Sequence, residues 1–519
     1  MWRSIRQAST LRLKPKKSLN LSKKVDVNPT TPARTRFAPS PTGFLHMGSL
    51  RTALYNYLLA KHTGGQFLVR LEDTDQKRLV EGAEQNIYDS LKWCGLQWDE
   101  GPLVGGDYGP YRQSERSEIY KQYSDKLLES GGAYRCFCPK ERLDSLRESA
   151  MKLQPPTTVT YDRACSHIPL EQSKERAAKG ETFTIRFKSP TKYPKFDDLL
   201  HGTLDLQPQV NADDVRYDDI VLVKSDGLPT YHFANVIDDH LMKITHVIRG
   251  EEWLASTPKH VALYDAFGWE APKFVHIPLL TSTKDKKLSK RSGDIDVMNF
   301  KKRGFLPEAL VNFVALFGWS PPRHAGVSIA ETFELKELEK LFTLSDLTKG
   351  NAKVDDKKLL FFNKHHLLKR IDEHLDHVVN EGYDLLSPAY PDITKDTVKK
   401  LINEVKHNFT TLNDIQNYDY LLAGVDFENE NAKRFLENTN REESINILKT
   451  VEDVTSVQDL DAKVDQLTSE GLKKRQVFET IRFALSGSIS GLKIPLLINF
   501  IGLENAKQRI RDAIEKLSN

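Results

Sequence analysis

The order of elements between Thr35 and Leu71 constrains the fold of this chain more than any other feature. Thr35 to Pro39 has the composition of a short strand, and Ser40-Pro41-Thr42-Gly43 is a turn cluster. A helix is expected from about Ser49, with Leu50, Leu54, Tyr57 and Leu58 on one face and Gly64-Gly65 as its stop. Phe67 to Leu71 then makes a compact apolar strand. A strand, a helix and a strand in so short a span form a βαβ unit. That unit commits the chain to α/β architecture, a parallel sheet whose ligand sits at the strand ends.

A second α/β stretch is expected from Ile220 to about Pro278. It comprises Ile220 to Val223 with an Asp226-Gly227 turn, a strand Ile244 to Ile248, a helix started by Thr257-Pro258, and a strand Lys273 to Ile277. The polar region between the halves, roughly 130–225, has weak periodicity and reads as an insertion. From Pro307 onward the pattern is helical: Leu306, Leu310, Phe313 and Phe317 repeat at helical spacing, as do Val398, Ile402, Val405, Phe409 and Leu412. At 519 residues, two to four domains are expected.

Charge is unevenly placed. Residues 1–24 hold eight Lys/Arg and no acid, more than the whole chain's formal net charge of +3, so the remainder is net acidic. Bulk charge therefore gives no argument for nucleic acid binding. The leader also carries four serines, with Trp2, Ile5, Leu11 and Leu13 scattered among the cations. It lacks the apolar core of a secretory signal and has the features that mitochondrial import reads, with a basic nucleic-acid-binding tail as the alternative. Four cysteines favour a reducing compartment over a disulfide scaffold, and Cys94 fits the apolar face of a helix with Ala83, Ile87 and Leu91. No run approaches the roughly 18 apolar residues of a membrane span, so no membrane partner is expected.

The loop from Ser40 to Ser49 joins the first strand to the first helix. Gly43 and Gly48 have the spacing of a phosphate loop, but Ser49-Leu50 replaces the Lys-Ser/Thr that such a loop requires. Phosphate can still dock on the free amides of the helix start. His46, taken alone, reads as a turn histidine. The segment Thr281 to Gly293, TSTKDKKLSKRSG, has five Lys/Arg against one Asp and reads alone as a solvated loop. Together the two suggest cations that close on a triphosphate. HMGS at 46–49 and KLSKR at 287–291 resemble, in the expected order, the HIGH and KMSKS signatures of class I aminoacyl-tRNA synthetases. The resemblance implies electrostatic catalysis by His46 and Lys290, with Lys287 in support, and ATP contacts that also include Gly48, Glu252 and Trp253.

Arg36, Glu72 and Arg249 lie at or near the ends of expected parallel strands, which converge on one crevice. Two guanidinium groups beside one carboxylate suit a substrate carrying an ammonium and two carboxylates. RFAPSPTGFLHMGSLRTALYNYLLA, VRLEDTD, GPYRQSER, PTYHFANVIDDHLM and VIRGEEW are similar to glutamyl-tRNA synthetases. By that resemblance Arg36, Ser40, Glu72, Tyr231, Asn235 and Arg249 line the amino-acid pocket. The glutaminyl relatives are uncharged at the position of Arg249, so this arginine argues for glutamate.

Cys136, Cys138, Cys165 and His167 offer the right number of ligands for tetrahedral zinc, although Cys-x-Cys is tighter than the common Cys-x₂-Cys. On spacing alone, buried thiols and a surface histidine remain the alternative. Some bacterial glutamyl enzymes carry a similar site, which implies structural Zn²⁺.

The resemblance covers about residues 33–519. It implies a leader at 1–30, a Rossmann-type catalytic domain at 31–130 and 226–300, and an acceptor-end-binding insertion at 131–225. A stem-contact region follows at 301–370 and a helical anticodon-binding domain at 371–519. The last carries Ser486-Gly487-Ser488 where the family usually has Thr-Gly-Arg. The implied reaction joins L-glutamate to tRNA(Glu), with tRNA(Gln) as a second acceptor to be tested, using ATP with Mg²⁺, in a monomer of the mitochondrial matrix. Two rivals remain at this point: a glutamate-activating enzyme that modifies a transfer RNA base, which lacks the helical C-terminal domain, and a catalytically dead RNA-binding paralogue.

Overall fold

The structure, a computed structural model, describes residues 26–282, 296–321, 331–350 and 352–519. In chain order its strands are β1 (Arg34–Phe37), β2 (Gln66–Val69), β3 (Ala133–Cys136), β4 (Thr184–Phe187), β5 (Phe196–Asp198) and β6 (Gly202–Leu204). They continue with β7 (Val221–Val223), β8 (His246–Gly250), β9 (Lys273–Ile277), β10 (Leu280–Ser282) and β11 (Ala352–Val354). The central sheet has the order β2-β1-β8-β9-β5-β6. Its strands are parallel except for β6, which returns antiparallel to β5 at the edge. A parallel sheet places all its carboxyl ends on one rim, and that rim holds the site.

The βαβ unit is present as β1, the helix Met47–His62 and β2. The helix begins two residues before the expected start because His46 itself caps it, its side chain accepting from Ser49 N. At Gly65 the chain leaves the helix for β2 so closely past β1 that a Cβ would lie 1.9 Å from the Ala33 carbonyl oxygen. Glycine is the residue that fits. The helix is buried on nearly all sides, Arg51 and Asn56 included, and not on one face alone. The physical reason is that it is sandwiched: β1, β2 and β8 lie on one side, the helices Pro307–Ala315 and Leu335–Leu341 on the other.

Three elements differ from the sequence reading. Val221–Val223 does not extend the central sheet; it pairs with β4 in a separate antiparallel sheet, β3-β4-β7. Conversely, the hairpin β5–β6, from the stretch of weak periodicity, completes the edge of the central sheet. Strands of three residues are too short to carry a two-residue period. The described residues begin within the expected leader 1–30. Asp26 and Asn28 are tied to Leu344 and Ser345, with Asn28 Oδ1 accepting from Leu344 N at 2.7 Å.

Beyond Pro307 the described residues are mostly helical. Val398, Ile402, Val405 and Phe409 are fully buried, and one apolar core runs from beneath the first helix into this C-terminal region. Among the described residues no helix is long and apolar enough to cross a membrane.

Candidate active site

A cavity of about 930 Å³ opens at the carboxyl rim of the central sheet. Its lining brings together Arg36, Ser40, His46, Gly48, Glu72, Tyr231, Arg249, Glu252 and Trp253. Asn235 is not at its surface. It lies buried behind Arg36 and Arg70, and with its amide oxygen turned to them it accepts from Arg36 Nη2 at 3.3 Å and Arg70 Nη2 at 3.2 Å. Lys287 and Lys290 fall outside the described residues. The described residues on either side of that segment do border the site: Leu280 lines the cavity, and Asp296 forms a β-bridge with His46.

His46 closes the start of the first helix. Its Nδ1 accepts from Ser49 N at 3.2 Å, and Nε2 lies 3.1 Å from Ser49 Oγ. The ring lies over Gly48, where a Cβ would sit 3.2 Å from it. A side chain at 48 would crowd the imidazole against the helix amides that an anion needs.

On the β1–β2 side of the cavity, charge is closed internally. Arg36 grips Asp239 with Nε at 3.0 Å and Nη2 at 3.2 Å. Arg70 reaches Asp239 at 2.7 Å, Glu72 at 3.2 Å and Asp238 at 3.6 Å. Arg116 completes the set on Asp238 at 2.7 Å, where Gln113 and Tyr120 also donate. Three guanidinium groups thus face three carboxylates, all buried. Burial alone would raise the Asp239 carboxyl, but Arg36 and Arg70 outweigh it and hold it below the usual range. Glu72 goes the other way: burial pushes it up to about 7 in spite of Arg70 and Arg36.

Arg249, near the end of β8, has a different environment. Its Nε donates to His276 Nε2 at 3.0 Å, Nη1 to Tyr231 Oη and His260 Nδ1 at 3.2 Å each, and Nη2 to Thr257 Oγ1 at 2.8 Å. All four acceptors are neutral. Burial, with the nearby arginine adding to it, lowers His260 well below its ordinary value and His276 to about 4. Among the described residues no carboxylate pairs with Arg249. Tyr231 packs against Trp253 with ring centroids 4.0 Å apart and planes tilted by 33°, forming the adjoining wall.

Away from the cavity, Cys136, Cys138 and Cys165 bring their sulfurs within 4.8 Å of one another. His167 is exposed and not part of this group. The Tyr161 hydroxyl is hydrogen-bonded to two of them, 3.2 Å from Cys136 Sγ and 3.5 Å from Cys138 Sγ. His167 ends a short 3-10 turn, Ala164–His167, and is exposed, whereas Tyr161 is buried in the cluster's own core. A hydrogen bond from Cys165 pulls the Cys136 thiol down to about 4, with Tyr161 helping. In the C-terminal region, Ser486 ends the helix Lys474–Ser486 and Gly487 caps it in the left-handed conformation. Arg482 is committed to the loop that follows, donating to the carbonyls of Ile489 and Leu492.

Sequence reading passed over Arg70, Asp238, Asp239, Arg116, Asp198 and His276. One signal was present: adjacent acids follow Phe233, Ala234, Val236 and Ile237 in one helix, and an acid on a buried stretch needs a cation.

The comparisons with known proteins agree with one another. The family model described as tRNA synthetases class I (E and Q), catalytic domain, matches residues 32–361, and an anticodon binding domain model matches residues 366–514. The mitochondrial glutamate–tRNA ligase of Saccharomyces cerevisiae is 52% identical over 517 residues, covering 97% of this chain and 95% of that protein. The glutamate–tRNA ligase of Alkaliphilus metalliredigens is 42% identical over 93% of this chain and 99% of its own. A crystal structure of a glutamate tRNA ligase from Elizabethkingia meningosepticum, in complex with its amino acid, superposes with a TM-score of 0.79. It is 36% identical and spans 94% of this chain and 100% of that one.

Proposed function

This chain belongs to the class I tRNA synthetases for glutamate and glutamine and is a glutamate–tRNA ligase; from that premise we propose how its cavity works and where. In the first step a glutamate carboxylate oxygen attacks the α-phosphorus of ATP, which enters as its magnesium complex, and pyrophosphate leaves. In the second, the terminal 2′-hydroxyl of tRNA(Glu) attacks the glutamyl carbonyl and AMP leaves.

One observation carries the reading. Among the described residues Arg249 is a buried cation without an anion, in the same cavity as the buried carboxyl of Glu72 and the imidazole of His46. Glutamate completes both ends: its side-chain carboxylate docks on Arg249 and its ammonium on Glu72. Arg36, Ser40 and Tyr231 line the space between, and Asn235 holds Arg36 from behind. Glutamine would leave Arg249 unpaired, at a cost of about 3–5 kcal/mol. His46, Lys290 and Lys287 stabilise charge at the α-phosphate, with Gly48, Glu252 and Trp253 around the nucleotide.

Cys136, Cys138 and Cys165 supply three soft donors for a structural Zn²⁺, with His167 two residues on from Cys165 as the fourth, which would brace the insertion far from the chemistry. The leader directs the enzyme to the mitochondrial matrix, where it acts as a monomer in translation and also glutamylates tRNA(Gln).

Charging assays with purified tRNA(Glu) and tRNA(Gln) test the proposal, with ATP–pyrophosphate exchange measured in parallel. We expect glutamate on both RNAs. A chain that charges only tRNA(Glu) removes the wider acceptor range; one that charges neither removes the reading. His46→Ala should slow adenylate formation by about 10²-fold with the fold intact.

A further inference from the structure

The structure assigns Asp198 and His276 as positioning residues for Arg249: a two-residue relay that fixes the guanidinium as a receptor for a carboxylate and so sets the amino-acid specificity. The inference rests on the reading of Arg249 given above.

The argument begins with strand register. β8 and β9 are parallel neighbours in which Arg249 is paired with His276, so their side chains stand side by side on one face of the sheet. β5 lies on the far side of β9, with Asp198 at its last position. Asp198 is in register with Phe274, two residues before His276, so the three side chains share one face of three adjacent strands. All are buried: Asp198 is 2%, His276 0% and Arg249 4% exposed.

Hydrogen bonds give the row a direction. Asp198 accepts from four donors. Oδ1 takes the amides of Leu200 at 2.9 Å and His201 at 2.8 Å; Oδ2 takes the His276 amide at 3.1 Å and His276 Nδ1 at 2.7 Å. A carboxylate with every contact a donor has one possible role at Nδ1, which is to hold the proton there. His276 is then the tautomer whose Nε2 is a lone pair, and that lone pair faces Arg249 Nε at 3.0 Å, with the Thr257 hydroxyl also 3.0 Å away. The imidazole stays neutral because burial drives its pKa down to about 4 against the pull of Asp198. Reversing the tautomer would turn that N–H to the Thr257 hydroxyl, leave Arg249 Nε without its acceptor and set a bare nitrogen against the Asp198 carboxylate.

The opposite edge of the guanidinium is held by His260 and Thr257, so Arg249 has one orientation available. Asp198 does not line the cavity, and its carboxylate is taken up by the donors already named. Its effect on substrate passes through His276 and Arg249, and this separates it from the residues that line the pocket.

The experiment compares four variants of the full chain: Asp198→Asn, His276→Asn, His276→Gln and Arg249→Met. Charging kinetics give KM for glutamate, KM for ATP and kcat at saturating glutamate. The longer amide side chain of His276→Gln keeps an oxygen where Nε2 accepts from Arg249. The shorter one of His276→Asn keeps a donor towards Asp198 and loses that acceptor. Asp198→Asn must turn an NH₂ towards a donor and disrupts the tautomer. We expect Asp198→Asn and His276→Asn to raise KM for glutamate by about tenfold or more, as when a hydrogen bond to a charged group is lost, with KM for ATP and kcat near wild type. His276→Gln should stay within about threefold throughout. Equal KM values for the two His276 variants overturn the relay, as does a fall in apparent kcat with both KM values unchanged, the mark of a role in folding alone. If Asp198→Asn does not fold, the two His276 variants decide. If Arg249→Met leaves KM for glutamate unchanged, the reading of Arg249 itself falls. If Arg249→Met raises it while Asp198→Asn and His276→Asn do not, only the relay falls.

Discussion

Arg36 and Arg249 face the same cavity and are buried to a similar degree, yet their surroundings are opposite. Around Arg36, Arg70 and Arg116 the carboxylates of Asp238 and Asp239 are already engaged before any ligand arrives, with Glu72 at the edge of the group. Around Arg249 there are two histidines, a threonine and a tyrosine, and no acid among the described residues. The difference separates two uses of a buried cation. The first group is a self-contained brace, and breaking it should show in stability. The second is an incomplete pair, and breaking it should show in substrate affinity.

Asp239→Ala attacks the brace where two arginines meet, leaving both buried and short of an anion. A loss of about 3–5 kcal/mol is expected in urea denaturation; an unchanged midpoint would mean that the network carries no load. Arg249→Met is the matching cut on the other side. Here kcat/KM for glutamate should fall by about 10²-fold or more, while stability stays within about 1 kcal/mol, because removing an unpaired buried cation offsets the lost hydrogen bonds. A destabilisation as large as that of Asp239→Ala would erase the distinction.

Glu72 lies between the two groups and titrates, which sharpens the comparison further. With its pKa raised to about 7 from 4.5, it is protonated in the folded chain through a range where the unfolded chain has released the proton. Its contribution to stability therefore declines as pH rises from about 4.5 to about 7 and levels off above. An incoming ammonium favours the ionised form. KM for glutamate should thus rise by about tenfold for each pH unit below 7, and Glu72→Gln should flatten both profiles. The smallest effect is expected for Asn235→Ala, which removes a support from behind Arg36. About 1 kcal/mol of stability should be lost, with KM for glutamate changed less than about threefold.

What the sequence made legible follows the same division. The βαβ unit was readable because glycines, prolines and a turn cluster punctuate it, and the C-terminal helices because Val398, Ile402 and Val405 keep the helical period. The cavity wall was readable where its residues sit inside long similar segments, as Glu72 does in VRLEDTD. The supports were not. Asp239 is 203 residues from Arg36, and Asp198 is 78 from His276; local pattern cannot connect side chains across such intervals. An acid in a helix also looks the same whether it meets water or arginine, so Asp238 and Asp239 were passed over within a quoted motif. At the cysteine cluster, the three sulfurs come together, with His167 exposed two residues beyond Cys165 and the Tyr161 hydroxyl 3.2 Å from Cys136 Sγ. Lys287 and Lys290 lie outside the described residues.

The edge hairpin β5–β6 has a consequence for anyone who wishes to dissect the enzyme. A cut made at residues 131 and 225 would seem to lift out an appended module and spare the core. It would instead unpair β9 along one side, leaving a raw strand edge open to aggregation. It would also carry off Asp198. A trimmed catalyst has to keep 196–204 grafted in place, so the seam between module and core runs through the sheet itself and not around it.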